Sequence, residues 1–544
     1  MATIRKQLPA CIAEIELAVT REQGFKIHRI GEQMRIIRNT VLGQLKKNHD
    51  QMTKTKEYRR TINQYRLMCE SVKKHHPAPV ELLKQKQQLA NKLEVLRQRH
   101  NVTFEYARKY GKTMRNKFSL PDAVLVLTIC EMVWRSIETL LYKGADKIYF
   151  YKKDDLTTFQ GKQANRCIIL KQTEDGFHIN FSSMKLPLII KKDDLYIQET
   201  LTNISYYMQN GLEVDNQNIT RYKSGQKPLS TYRICNNRIV RKLIRGKMRY
   251  YLQITLEGNP VPRRKKDGSI RHNYGAGRIG CDIGTQSLAI VTENHVSLKN
   301  LAERSVNTFA REHKICLLQR YMDRSKRATN LDNYNPNGTV RKSCKSWKYS
   351  NRYKKARSNI RELHRKAADS RKFNHNEEVN RLRAMGDELI IEVMDFKGLQ
   401  KKAKTVTKNK KTGKFNRRKR FGKSIGRRSP GYFIKQAKYR FQGTGSKVSE
   451  VNNWSFKASQ YDHKLDNTNK KQLSKRQHVF SNGTKVQRDI YSAFLLYCTN
   501  ETLQKPDKEK CDNFFEQFLI MHDACVQEII ATGKKVMNSG IKVA

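Results

Sequence analysis

The sequence is short of acid. Only 50 Asp and Glu stand against 109 Lys and Arg in 544 residues, a formal net charge of +59. That imbalance is far beyond what solubility needs and points to a polyanion as partner, most directly nucleic acid, whose phosphates release counterions to Lys and Arg. A basic protein of the membrane surface is the competing reading. Long hydrophobic runs are also missing. The most apolar window, DAVLVLTICEMVWRSIETLL (122–141), is broken by Glu131, Arg135 and Glu138 and reads as a core helix. The N-terminal MATIRKQLPACIAEIELAV has no signal-peptide architecture. No two of the 11 cysteines form a CxxC pair, and none lies between Cys344 and Cys498. This excludes a disulfide framework and a zinc ribbon and predicts reduced thiols in a cytoplasmic protein. There is no internal repeat.

What is present changes character along the chain. Residues 20–145 carry helical periodicity: Ile30, Met34, Ile37, Val41 and Leu45 fall on one face, and after Pro79 so do Leu82, Leu89, Leu93 and Leu96. Ser119-Leu-Pro-Asp predicts the start of the apolar helix, with Ser119 as N-cap and Pro121 in the first turn. A bundle with solvated basic faces and a lobe gripping a nucleic-acid duplex both fit this pattern. From 146 to 260 the period becomes two. DKIYFYKK, RCIILK, FHINF, LPLIIKK and MRYYLQITLEG read as strands of a barrel-like domain, with Arg245-Gly246-Lys247 at a hairpin tip. VPRRKKDGSIRHNYGAG (261–277) reads as a basic linker.

Residues 300–385 read as helical and basic. Tyr321, Tyr334, Trp347, Tyr349 and Tyr353 are interleaved with cations there, which suits stacking on bases and also packing of one helix on another. Lys397 to Arg428 holds fifteen Lys and Arg and no acid, so it is expected to order only against phosphates. Arg417, Arg418, Lys419 and Arg420 are expected on nucleic acid. Between Glu501 and Glu528 the balance reverses, with seven acids against three Lys.

In this basic chain, GRIGCDIGTQSLAIV (277–291) places a bare carboxylate, Asp282, in an apolar strand-like run before a tight turn at Gly284-Thr285. A buried carboxylate needs a cation, a backbone turn or a metal ion beside it. DELIIEVMDFKGL (387–399) repeats the pattern, an apolar strand running into Glu392. SNGTKVQRDIYSAFLLYC (481–498) sets a turn before Arg488-Asp489 and starts an apolar helix at the acid. One acid in such a place is more often a turn former or helix cap, and 50 acids allow chance triples. Taken together, an acid in a first strand, one ending a later parallel strand and one opening a last helix have the layout of an RNase H-like fold. Such carboxylates meet at one sheet edge and can hold two Mg²⁺. Arg488, beside the third acid, is expected on nucleic acid.

These segments resemble the split RuvC nuclease motifs of the TnpB family, the insertion-sequence-encoded RNA-guided nucleases, and of the type V CRISPR effectors. GCDIGTQSLAI is similar to the first motif, Gly-x-Asp-x-Gly before an apolar strand, with Asp282 at the catalytic Asp. IIEVMDFKGL is similar to the second, with Glu392 at its Glu, although Glu392-Val393-Met394 replaces Glu-Asp-Leu. QRDIYSAF is similar to the third, Arg-Asp-x-Asn-Ala-Ala, through Arg488, Asp489 and Ala493, with Tyr491 at the Asn position.

The resemblance covers about 277–500; over the first 276 residues it rests on domain order. It implies a multidomain α+β and α/β chain, with the first part of a wedge domain at 1–19 and a helical recognition lobe at 20–145. A β-barrel wedge domain and linker follow at 146–276. A RuvC nuclease occupies 277–440, with a helical insertion (300–385) and a basic segment (397–428). A target-nucleic-acid-binding subdomain is implied at 441–485, and the third motif with C-terminal helices at 486–544. It further implies Asp282, Glu392 and Asp489 as the catalytic, Mg²⁺-holding residues, two ions per site. The implied partners are a guide RNA and double-stranded target DNA with its displaced strand, in a bacterial or archaeal cytoplasm, at the nucleoid and away from membranes.

The family carries two Cys pairs between its second and third motifs, forming a zinc finger. Here Ser459-Gln460 fits the family's Ser-Gln, but Asp462 stands at the Cys position, and His463 and His478 are the only histidines between Glu392 and Asp489. No zinc is expected from such donors, and Trp454, Phe456, Tyr461 and Phe480 are expected to pack the subdomain instead. The leading reading is an RNA-guided DNA endonuclease that recognises a short target-adjacent motif and cuts by two-metal hydrolysis, with specificity supplied by base pairing. A guide-independent RNase H-fold transposase or resolvase, and a catalytically inactive nucleic-acid-binding relative, are the alternatives.

Overall fold

The computed structural model describes residues 9–543 apart from 76, 78, 143–144, 146, 227–231, 259, 304–307, 345, 404, 410–411, 414, 417–420, 442–445, 471 and 473. Arg417, Arg418, Lys419 and Arg420 therefore lie outside the described residues. The chain divides into two compact units, Met1–Val261 and Pro262–Ala544. Among the described residues no helix is long and apolar enough to cross a membrane.

The first unit opens with strand β1 (Ala10–Leu17), whose Cys11, Ala13, Ile15 and Leu17 are buried while Glu14 and Glu16 face outward. Helices α1 (Arg21–Lys54), α2 (Lys56–Lys74), α3 (Val80–Arg99), α4 (Phe104–Phe118) and α5 (Ala123–Tyr142) follow. A capping box starts α1: the Gln23 N–H donates to Thr20 Oγ1 at 3.2 Å and the Thr20 N–H to Gln23 Oε1 at 3.0 Å. The expected stripe of Ile30, Met34, Ile37, Val41 and Leu45 is buried. Ser119 does not open the apolar helix. It closes α4 in the left-handed conformation, φ 48°, with its N–H returned to the preceding turn. Asp122 takes the capping role, accepting the Val124 N–H at 2.6 Å. A carboxylate next to the helix start suits its dipole, whereas Ser119 is already used as a C-cap.

The unit continues with β2 (Thr158–Gln160), β3 (Ile168–Thr173), β4 (Gly176–Phe181), β5 (Met184–Ile189), α6 (Leu195–Lys223), β6 (Arg233–Ile244) and β7 (Lys247–Glu257). The β6–β7 hairpin turns at Arg245 (φ 50°) and Gly246 (φ 78°), the two positive φ values that a tight primed turn requires. The seven strands form one sheet in the order β2-β6-β7-β1-β5-β4-β3. Among the described residues the expected barrel is not found, because the edge strands β2 and β3 do not pair with each other. A side chain crosses between β3 and β6 instead of a backbone ladder: buried Asn237 Nδ2 donates to the Ile168 carbonyl at 3.0 Å. Helix α6 was not anticipated within a segment read as strands. Its signal is present, since Ile197, Leu201 and Ile204 are buried at helical spacing behind Asp194, whose Oδ1 accepts the Ile197 N–H at 3.2 Å.

The second unit contains β8 (Arg278–Ile283), β9 (Ser287–Thr292), β10 (His295–Asn300), α7 (Thr308–Thr329), α8 (Asn351–Met385) and β11 (Glu388–Glu392). Next come α9 (Phe396–Leu399), α10 (Gly422–Arg428), α11 (Pro430–Phe441), β12 (Lys447–Val451) and α12 (Asn453–Phe456). Two small hairpins follow, β13 (Tyr461–Asp462) with β14 (Asn467–Thr468) and β15 (Gln477–Val479) with β16 (Lys485–Gln487), before α13 (Arg488–Tyr497) and α14 (Lys508–Ala531). The central sheet runs β10-β9-β8-β11-β12, with β8, β11 and β12 parallel and β9 and β10 antiparallel to their neighbours.

Both faces of this sheet are covered, which explains the unbroken apolar runs in its strands. Ala289, Val291 and Ile390 pack with α13 and α14. Leu288, Ile290, Leu389 and Ile391 pack with Val379 and Leu382 of α8 and Phe433 of α11. The basic segment also enters this core at its end, contrary to the expectation that only phosphates would order it. Ile425 is buried, Arg427 pairs with Glu312, and Arg428 donates to the Leu301 carbonyl at 2.8 Å. Among the aromatics, Tyr349 stacks on Tyr353 at 4.5 Å, and Trp347 meets Tyr334 edge-on with Lys326 over its ring at 3.4 Å. These rings pack the connection between α7 and α8.

His375 of α8 is fully buried, with ring Nε2–H donating to the Arg428 carbonyl at 2.8 Å and Nδ1 facing no acceptor. Burial pushes its pKa down from 6.5 to about 4. The folded value lies below the unfolded one, so the stability held by neutral His375 is complete above pH 6.5 and is lost as pH falls towards 4. The loss is worth about 3 kcal/mol. Denaturant melts over this range should show His375→Gln, which donates without titrating, losing less stability than wild type; parallel curves would refute the account.

Candidate active site

Asp282 and Glu392 arrive together because β8 and β11 are parallel. Cys281 lies opposite Ile391, and the next residues on the two strands are Asp282 and Glu392. Neighbouring strands stand about 4.8 Å apart, so both carboxylates leave the same edge of the sheet at one level. Asp489 comes from α13, which packs across β8 and β9. The helix starts at the hairpin end, where Gln487 Oε1 accepts the Ile490 N–H at 2.7 Å. Gly280 lets the helix lie directly on the strand: a Cβ there would run into the Ala493 carbonyl oxygen and the Tyr497 nitrogen and stand 2.9 Å from Tyr497 Cα. Asp489 is four residues before Ala493, about 6 Å along the helix. Asp282 is two residues beyond Gly280, about 7 Å along the strand. Both offsets carry the acids towards the same end of the contact, since Arg278 at the start of β8 donates to the Thr499 carbonyl just past the helix.

The electrostatics follow this convergence. Asp282 touches solvent at the sheet edge yet is densely surrounded by protein, and its pKa is raised well above the usual carboxylate range. Burial is the main cause, followed by the charges of Asp489 and Glu392, with Arg488 opposing. Burial pushes Glu392 up to about 7, and the nearby Ala458 backbone N–H opposes that rise. Ala458 had no sequence signal, because a backbone donor carries none. Arg488, expected on nucleic acid, has a mostly buried guanidinium that donates to Asp489 Oδ1 at 3.3 and 3.4 Å and to the Lys475 carbonyl at 3.2 Å. In this geometry it is the counter-charge of the acids.

Among the described residues, no three His, Cys, Asp or Glu side chains are grouped closely enough to enclose an ion. The donor chemistry at the sheet edge nevertheless fits a hard dication: the charges of Asp489 and Glu392 raise the proton affinity of Asp282 with one guanidinium opposing, and oxygen donors suit Mg²⁺. Asp282, Glu392 and Asp489 are the residues that would hold it.

Next to this edge, both histidines of the segment 446–487 bond protein groups. His478 Nε2 bonds Asp462 Oδ2 at 3.0 Å, and His463 Nδ1 bonds the Tyr491 hydroxyl at 2.7 Å. Phe480, Phe494 and Phe515 surround His463, whose pKa burial lowers to about 4. Tyr491 thus has a structural partner at the position where the resembled motif has Asn. Phe456, Tyr461 and Phe480 are buried as expected, but Trp454 is not; it is 84% exposed. In the single turn of α12, Phe456 takes the inward face, and a residue two positions earlier points away from it.

The fold that carries these acids is mixed α+β, with several sheets and a parallel ladder ending in carboxylates. No protein-family model matches the sequence, and no curated protein matches it. Among solved structures the chain is similar to a Cas12f1–sgRNA–target DNA complex, at 10% identity and a TM-score of 0.40, covering 89% of this chain and 84% of that one. It is also similar to a CRISPR–Cas12f ternary complex, at 12% identity and a TM-score of 0.25, covering 90% and 83%.

Proposed function

We propose that the chain is an RNA-guided DNA endonuclease that hydrolyses phosphodiesters at the Asp282–Glu392–Asp489 edge. The observation that supports this most is the arrival of three carboxylates, from two parallel strands and a helix start, at one place in a chain of charge +59. These acids would hold Mg²⁺, which when bound activates water and stabilises the leaving 3′-oxygen. Arg488 orients Asp489, and the Ala458 N–H favours the charged form of the Glu392 carboxylate. The helical bundle and sheet of the first unit would serve as the lobe and wedge that hold guide RNA, and Arg417 to Arg420 would lie on phosphates. The subdomain before α13 would need no zinc, since Asp462 and His478 bond each other.

Sequencing the RNA that co-purifies with the chain tests the reading. A defined structured RNA whose variable end directs cleavage of matching double-stranded DNA is expected. Heterogeneous RNA together with guide-independent cutting would move the function to the transposase class.

A further inference from the structure

Glu392 lies beside one short loop. The Val393 N–H donates to the Val451 carbonyl at 3.0 Å where β12 ends, and the Ala458 backbone N–H, on the far side of residues 452–457, favours the charged form of the Glu392 carboxylate. The loop is rigid between these points. Asn452 Oδ1 accepts the Trp454 N–H at 3.0 Å, Phe456 and Ala458 are buried, and Lys457 takes the left-handed conformation at φ 49°. Trp454 stands outside it, 84% exposed. Val451 is level with Glu392, and three residues of chain reach at most about 10 Å, so the Trp454 backbone lies within about 10 Å of the strand end that carries Val451.

A large aromatic held in water on a braced loop, with exposed Lys457 beside it, has the two parts of a single-strand contact: a ring on which a base stacks and a cation for the adjoining phosphate. The competing occupant, an apolar protein segment, is disfavoured by the exposed Lys457 and by the chain's net charge of +59. We propose that Trp454 is a positioning residue that stacks on a nucleobase of the DNA strand entering the carboxylate site, with Lys457 on the neighbouring phosphate. The inference rests on the endonuclease reading for the nature of the strand and goes beyond it in naming the contact.

Two measurements on the full chain test it. In an Asp489→Ala background, oligodeoxythymidylate is titrated while tryptophan emission is followed; Trp134, Trp347 and Trp454 are the three emitters. Quenching that loses its Trp454 share in Trp454→Phe is expected, and identical quenching with and without Trp454 overturns the proposal. In the guide-loaded protein, Trp454→Ala should lower kcat/KM for the matched target about tenfold, and Trp454→Phe should restore most of it. On a target with an abasic site at the stacked nucleotide, the Ala variant should lose nothing further. A wild type that cuts while Trp454→Ala cuts equally well on intact DNA overturns stacking. A wild type that never cuts, yet whose Trp454 is quenched, refutes the endonuclease reading and supports the contact.

Discussion

Single replacement of Asp282, Glu392 or Asp489 by Ala is expected to abolish Mg²⁺-dependent cleavage while guide and target remain bound. The charges of Asp489 and Glu392 both reach Asp282, so each supplies charge that the others cannot replace without moving. Losing one should cost about 4 kcal/mol of transition-state stabilisation, roughly a thousandfold in rate. Affinity is a separate matter, because the chain's excess of basic charge would carry phosphate binding while carboxylates oppose it. Single-turnover cleavage on a gel, paired with filter binding of the same variants, separates the two effects. Full cutting by Asp489→Ala would remove α13 from the site. A parallel loss of binding would mean that the acids hold up the fold rather than the chemistry. Arg488→Ala should fall between these cases, since it frees Asp489 without removing it.

The parts of the candidate site that were legible in the sequence are those written in side chains at strand and helix ends. Asp282 and Glu392 close apolar runs, and Asp489 opens one, because a strand covered on both faces must be apolar until it reaches the edge. Closure of the sheet in the first unit was not legible. Alternation marks a strand but says nothing about whether the edges meet, and here Asn237 replaces the last ladder. Ser119 and Asp122 compete for one cap, and local sequence alone does not show that the preceding helix has already used the serine. Trp454 was read as core because aromatics usually are, yet a one-turn helix has a single inward face and Phe456 fills it. Ala458 acts through its backbone, and His375 through a ring nitrogen on a carbonyl 53 residues away in sequence; neither leaves a pattern.

Gly280→Ala is expected to damage stability and cleavage together, and more severely than any other exchange of glycine for alanine near the site. The added methyl would meet the Ala493 carbonyl oxygen, the Tyr497 nitrogen and Tyr497 Cα, all backbone atoms of a helix. No rotamer change relieves contacts of that kind, so α13 has to lift from β8. Lifting it opens the core that Ile490, Phe494 and Leu495 fill, at a cost of about 3 kcal/mol or more. It also draws Asp489 away from Asp282, and a displacement of about 1 Å at reacting groups costs roughly a hundredfold in rate. Gly284 offers a contrast two residues past Asp282: its Cβ would meet Ser287 Oγ at 2.9 Å, the end of a side chain that can rotate. Gly426, on the exposed face of α10 with nothing near its Cβ, should accept Ala with a gain of up to about 1 kcal/mol. Thermal melts and single-turnover cleavage of the three variants order these effects. If Gly280→Ala melts well below wild type but cuts at the wild-type rate in the folded fraction, α13 can retreat without carrying Asp489, and the helix does not set the spacing of the acids. If stability and rate fall together, the glycine before Asp282 is what allows a strand and a helix to bring their carboxylates to one point.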